Sequence, residues 1–118
     1  MKVSNSIKKN AGFVNKFLKK ELKGNPKQLY DAASHLILHG GKRLRPFLVL
    51  KSCQMLGGRQ SDAMAAASAV EMIHNFTLVH DDIMDNDEMR HGVPTTHKKF
   101  DMPLAILAGD VLYSKAYH

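Results

Sequence analysis

Residues 63–85 contain neither glycine nor proline and are dense in Ala, Met, Val, Ile, Phe and Leu. Strands in globular proteins are far shorter than this run, so it must be a helix. At 1.5 Å per residue it would extend roughly 35 Å. Ser61 or Asp62 stands where a cap for its first turn is needed. A chain of 118 residues built around one such rod has to supply further helices to cover it.

The remaining periodicity supplies them. Val3, Ile7, Ala11, Val14, Leu18 and Leu22 recur at steps of three and four, an amphipathic pattern that Gly24-Asn25-Pro26 stops. Asn25 is placed to cap a second helix with Pro26 at its first position. Leu29, Ala32, Ala33 and Leu36 form that helix's buried stripe, and Gly40-Gly41 ends it. A third helix begins near Pro46, runs through Phe47, Leu48, Val49, Leu50 and Leu56, and stops at Gly57-Gly58. After a loop with Gly92 and Pro94, Pro103 opens a fifth helix carrying Leu104, Leu107, Val111 and Leu112. No segment shows the two-residue alternation of a strand, and there is no internal repeat. The expectation is an all-α, antiparallel helix bundle with short connections. The last helix is still in rhythm at the final residues, so 1–118 reads as the front part of a longer fold.

The rod ends in an unusual way. Asp81, Asp82 and Asp85 crowd its last turn. Residues four apart lie one above the other, so Asp81 and Asp85 are neighbours, with Asp82 close to Asp85. Three carboxylates repel one another, and the negative end of the helix dipole opposes them as well. A solvated acidic patch would carry both penalties with nothing gained. A hard divalent cation removes both, and Mg²⁺ typically takes one or two carboxylates plus substrate phosphates. The spacing and central glycine of an EF-hand are missing, and zinc would call for His or Cys. His80 lies on another face and is expected to be a core or boundary residue.

Cations accompany the acids. Gly40-Gly41-Lys42-Arg43-Leu44-Arg45-Pro46 sets flexible glycines before three positive charges and a helix start, an arrangement suited to phosphate. It lacks the spacing of a nucleotide-binding P-loop. His74 shares the stripe 74, 78, 81, 85 with the acids, whereas His35 and His39 are expected to be satisfied core residues. Arg90 is the first guanidinium after the acids. Metal-binding acids beside phosphate-binding cations describe a diphosphate site. No Cys-His or Ser-His-Asp nucleophile stands out, but metal-assisted loss of diphosphate needs none.

These residues resemble the trans-type isoprenyl (polyprenyl) diphosphate synthases. GGKRLRP at 40–46, EMIHNFTLVHDDIMD at 71–85, RHGVPTTH at 90–97 and LAGD at 107–110 match that family in order and spacing. The resemblance implies the all-α isoprenoid synthase fold and Mg²⁺-dependent head-to-tail condensation of isopentenyl diphosphate with an allylic diphosphate. It makes Asp81 and Asp85 metal ligands supported by Asp82. Arg90 would touch the allylic diphosphate, and Lys42, Arg45 and His74 the isopentenyl diphosphate. Phe76 and Thr77 precede the first Asp by five and four positions, where the family sets chain length. An aromatic followed by a small residue resembles archaeal geranylgeranyl diphosphate synthases, so a C20 product is expected, with C15 next. The resemblance also implies a homodimer, and the lone cysteine makes a reducing cytoplasm its natural home.

Two departures bear on activity. His91 stands where the family has a second arginine, so its hold on isopentenyl diphosphate would follow pH. The family's second aspartate-rich motif does not occur in these residues. The fragment is therefore expected to be inactive by itself, and a non-catalytic diphosphate-binding subunit of the same fold is the alternative. A net charge of +6 admits nucleic acid, but there is no zinc-finger spacing or RNA-binding aromatic pattern, and that reading gives the aspartates no role. Terpene cyclases share the aspartate motif without needing GGKRLRP. The single cysteine, Cys53, excludes an internal disulfide and fits a reducing compartment. No apolar stretch is long enough to span a bilayer.

Overall fold

The computed structural model describes residues 2–39, 42–90 and 92–117, with side chains from residue 5 onward. Among the described residues six helices and one short ribbon follow in order: α1 (Lys2–Glu21), α2 (Lys27–Ser34), α3 (Leu44–Met55), α4 (Gln60–Asp85), β1 (Met89–Arg90), β2 (Val93–Pro94), α5 (Thr96–Lys99) and α6 (Met102–Ala116). The all-α class holds. The rod, α4, is the spine: α3 and α6 pack along it most extensively, and α1 leans on both α3 and α4.

Several boundaries differ from expectation. Asn25 does not cap α2. Pro26, in extended conformation, is the N-cap residue, and its carbonyl accepts from the N–H groups of Leu29 and Tyr30. α2 itself ends at Ser34, and tighter turns carry the chain through Leu36 and Ile37, both buried. α3 starts at Leu44, two residues before Pro46, which sits in its first turn. α4 starts at Gln60, so Asp62 stands inside its first turn and accepts from the Arg59 backbone N–H at 3.1 Å. For α6 the cap is Asp101, whose Oδ1 accepts from the Leu104 N–H at 2.8 Å. Pro103 follows within the first turn, where its missing N–H leaves no partner unsatisfied.

Val14, Leu18 and Leu22 of the α1 stripe are buried with Ala32, Ala33, Leu36 and Leu50 in one core. Burying each large aliphatic side chain there contributes on the order of 1.5–3 kcal/mol. Leu48 and Leu56 are exposed, because the inward face of α3 is set by Pro46 and Leu50. α6 presents Ala105, Ala108, Gly109 and Leu112 to the core rather than Leu107, which is half exposed. Small residues bring α6 close to α4. A Cβ on Gly109 would lie 2.8 Å from His80 Nε2, so a side chain at this position of LAGD would force the His80 ring to shift.

The ribbon was not expected. β1 and β2 pair antiparallel, with Met89 opposite Pro94 and Arg90 opposite Val93, and Gly92 turns the chain between them at φ +78°. Two residues per strand are too few for alternation to register in a sequence.

Candidate functional site

The basic loop resolves into residues with different fates. Gly40 and Gly41 lie outside the described residues. Lys42 and Arg45 are exposed, and Arg45 Nη1 sits 3.3 Å from His74 Nε2. Arg43 is 3% exposed. It takes the left-handed conformation at φ 58° as the N-cap of α3, and its side chain turns inward. There its Nη1 donates to Glu71 Oε2 at 2.7 Å, its Nε to Asn15 Oδ1 at 2.8 Å, and its Nη2 to the Ile37 carbonyl. One buried cation thus joins α1, the end of the α2 segment and α4, and the two cations beside it are left facing solvent. Glu71 and His74 are one turn apart on α4, so the same stretch of helix holds Arg43 from inside and meets Arg45 outside.

The three carboxylates also separate. Asp81 and Asp85 are exposed, and neither enters an ion pair among the described residues. Asp82 is 1% exposed and faces the other way. Arg90 grips it with Nε, 3.0 Å from both carboxylate oxygens, and with Nη2, 2.8 Å from Oδ1. The hydrogen bonds to Asp82 hold the Arg90 charge above even the ordinary arginine range, against some burial, with Asp87 and Asp81 adding attraction. The guanidinium keeps its Nη1 protons and one Nη2 proton for another acceptor, and the side chain remains 28% exposed. Asn86, in the left-handed conformation, ends α4 directly after Asp85. His91 lies outside the described residues.

Among the described residues no three His, Cys, Asp or Glu side chains form a group that could enclose a metal. Asp82 is engaged with Arg90, which leaves Asp81 and Asp85. That pair suits Mg²⁺, which completes its shell with water and phosphate oxygens, and would not suit zinc or calcium.

Beneath the acids, Thr77 is exposed and its hydroxyl donates to the His74 carbonyl at 2.5 Å. Phe76 is rotated towards α6. Its ring lies 4.5 Å from that of His80 and 5.1 Å from that of Tyr113. His80 is a boundary residue, half-buried, as expected.

His35 is buried and hydrogen-bonded as expected, whereas His39 is exposed, its Nδ1 2.5 Å from the His35 carbonyl. His35 Nε2 is 2.7 Å from the Pro94 carbonyl, and its ring stands edge-on to Phe100 at 5.7 Å. Burial pushes His35 below the ordinary value of 6.5; the Pro94 carbonyl pulls it upward, and repulsion from His39 and Lys99 pushes it down again. The folded protein therefore binds this proton less readily than the unfolded chain does. The stability this group confers is complete above pH 6.5 and is lost as pH falls below that through the lowered folded value. Denaturant unfolding of the full-length protein at neutral pH and at about pH 5 should show a greater loss in the natural chain than in His35→Gln. Equal losses would remove His35 as the cause.

Sequence reasoning missed two residues. Glu71 lies within the motif at 71–85, and the signal that could have found it is an acid on the inward stripe 68, 71, 72, 75, 79, which calls for a buried cation. The tie from His35 to the loop after the acids had no local signal, since its partner is a backbone carbonyl distant in sequence.

Comparison with known proteins places this geometry. The sequence profile of the polyprenyl synthetase family matches residues 26–118. The geranylgeranyl pyrophosphate synthase of Geoglobus acetivorans is 53% identical over 116 residues, which are 98% of this chain and 36% of the relative. The geranylgeranyl diphosphate synthase of Saccharolobus solfataricus is 54% identical over 104 residues, 88% of this chain and 31% of that one. The crystal structure of a geranylgeranyl pyrophosphate synthetase from Pyrococcus horikoshii superposes with a TM-score of 0.92 at 46% identity, covering 98% of this chain and 36% of its own. The chain thus spans about a third of the length of the relatives it matches.

Proposed function

Because the chain belongs to the polyprenyl synthetase family, we propose that the full-length protein condenses isopentenyl diphosphate with an allylic diphosphate, and that geranylgeranyl diphosphate is its main product. The observation that carries this reading is the division of charge at the end of α4. Two carboxylates are left open to solvent, a third is neutralised inside, and the cation that neutralises it keeps N–H groups to offer.

In this reading Lys42, Arg45 and His74 hold the isopentenyl diphosphate, with His91 beside them. Arg90 offers its remaining N–H groups to the allylic diphosphate. Asp81 and Asp85 would hold Mg²⁺, which when bound offsets the diphosphate charge and makes it a better leaving group. The allylic C–O bond breaks, the isopentenyl double bond supplies the electrons of the new C–C bond, and a proton then leaves. Asp82 acts by aiming Arg90. Phe76 and Thr77 lie below the acids and limit the growing chain. The reading takes residues 1–118 as the N-terminal part of one all-helical domain and the enzyme as a cytoplasmic homodimer. No helix among the described residues is long and apolar enough to cross a membrane. The short chain alone, a third of its relatives in length, binds diphosphate without turning over.

The test is to incubate the full-length protein with Mg²⁺, isopentenyl diphosphate and, in turn, dimethylallyl, geranyl and farnesyl diphosphate, and to size the products. A C20 product is expected, and Phe76→Ala should lengthen it. Failure to condense any primer would overturn the reading. An unchanged product from Phe76→Ala would remove that residue from chain-length control.

A further inference from the structure

A ribbon of two residues per strand cannot hold itself in place. Here each strand is fastened from outside. β1 is fastened through Arg90 to Asp82 on α4. β2 is fastened through the Pro94 carbonyl, which accepts a hydrogen bond from His35 at 2.7 Å. A carbonyl only accepts, so His35 carries its proton on Nε2. Proline has no N–H, so this carbonyl is the only backbone polar group that Pro94 can offer. The His35 ring is 5% exposed and is flanked by the rings of Phe100 and His39, so it has little room to turn away. Just beyond Pro94, Thr95 is fully buried; its N–H donates to the Glu88 carbonyl and its hydroxyl to that of Asp87. Thr95 thus ties the end of the ribbon back to the loop before it, and the tie from the strand opposite Arg90 to the helical body is made by His35, the residue that closes α2.

We propose that His35 is a positioning residue for Arg90: by pinning the Pro94 carbonyl it fixes the ribbon, and so the height at which the guanidinium bridges Asp82 and an incoming allylic diphosphate. The link to substrate rests on the diphosphate role proposed for Arg90. The positioning itself does not.

The experiment uses the full-length enzyme with His35→Ala, His35→Gln and His35→Phe. Gln keeps an N–H able to reach the carbonyl, and Phe keeps the packing against Phe100 without a donor. Two readouts are taken. The first is the exchange rate of the Arg90 Nε proton by NMR, measured without substrate; it should rise at least about tenfold in the Ala and Phe variants and stay near the natural rate in Gln. The second is the kinetic split. The KM for farnesyl diphosphate should rise about tenfold in Ala and Phe, while that for isopentenyl diphosphate changes less than about twofold, and Gln should restore the natural values. If Ala does not fold, the contrast between Gln and Phe decides. An Arg90 proton that exchanges at the natural rate in the Phe variant overturns the proposal, and so do equal rises in both KM values that Gln does not rescue. If the Arg90 signal responds as expected but the natural enzyme takes no allylic diphosphate, the positioning stands and the proposed function falls.

Discussion

Replacing Asp81 and Asp85 together by Ala should lower turnover of the full-length enzyme by about a hundred- to a thousandfold or more, the range seen when groups that stabilise developing charge are removed. The fold should not notice. Both side chains are exposed and unpaired with any cation among the described residues. Removing negative charge from the last turn of α4 also relieves its clash with the helix dipole. The melting temperature should therefore hold or rise slightly. Asp82→Ala should behave differently. Its carboxylate is buried and anchors Arg90, so its loss would disturb both the fold and the ribbon. Product formation at saturating Mg²⁺, set beside thermal unfolding, separates the two classes. If the Asp81→Ala, Asp85→Ala enzyme works within about tenfold of the natural one, the carboxylates do not serve a metal-bound diphosphate.

That split among three aspartates marks how far the sequence could be read. Spacing along α4 was enough to predict the rod and a face carrying His74, Asp81 and Asp85. The same spacing assigns Asp82 to the inward stripe with Asn75 and Val79, both buried. A carboxylate there needs a cation, yet the cation arrives from a ribbon too short to leave a pattern. Arg43 and Arg45 are the same residue type two positions apart, and composition treats them as one basic patch. Their fates diverge because the left-handed turn at Arg43 sends one side chain inward to Glu71, twenty-eight positions later. The helix starts at Pro26 and Asp101 were displaced by one residue, because the cap was a backbone carbonyl or a side chain outside the apolar rhythm, and α2 stops at Ser34, well short of Gly40-Gly41. Periodicity reports which face is apolar. It does not report which polar group on that face has found a partner.

Glu71→Gln should destabilise the protein by about 3–5 kcal/mol, because it strips the negative charge from a buried pair and leaves the other member in place. The Arg43 and Glu71 side chains are 3% and 4% exposed and 2.7 Å apart, so water cannot solvate an orphaned guanidinium. Asn15 and the Ile37 carbonyl also accept from Arg43, but both are neutral and only partly offset the loss. Asn75 bonds only the Glu71 backbone carbonyl and is unaffected by the change. Arg43→Met should cost a similar amount through the unpaired carboxylate. The double variant Arg43→Met, Glu71→Leu should be far milder than the sum of the singles, since no charge is then left buried. Denaturant unfolding of the natural protein, Arg43→Met, Glu71→Leu and the double variant closes the cycle and measures the coupling directly. Additive singles of less than about 1 kcal/mol each would show that the pair is solvated and holds nothing. A domain is stable by only about 5–15 kcal/mol, so a loss on the predicted scale would loosen the loop before catalysis could be assayed at higher temperature. The double variant tests function more cleanly. If it folds but binds isopentenyl diphosphate weakly, the inward Arg43 is what keeps Lys42 and Arg45 turned towards the substrate.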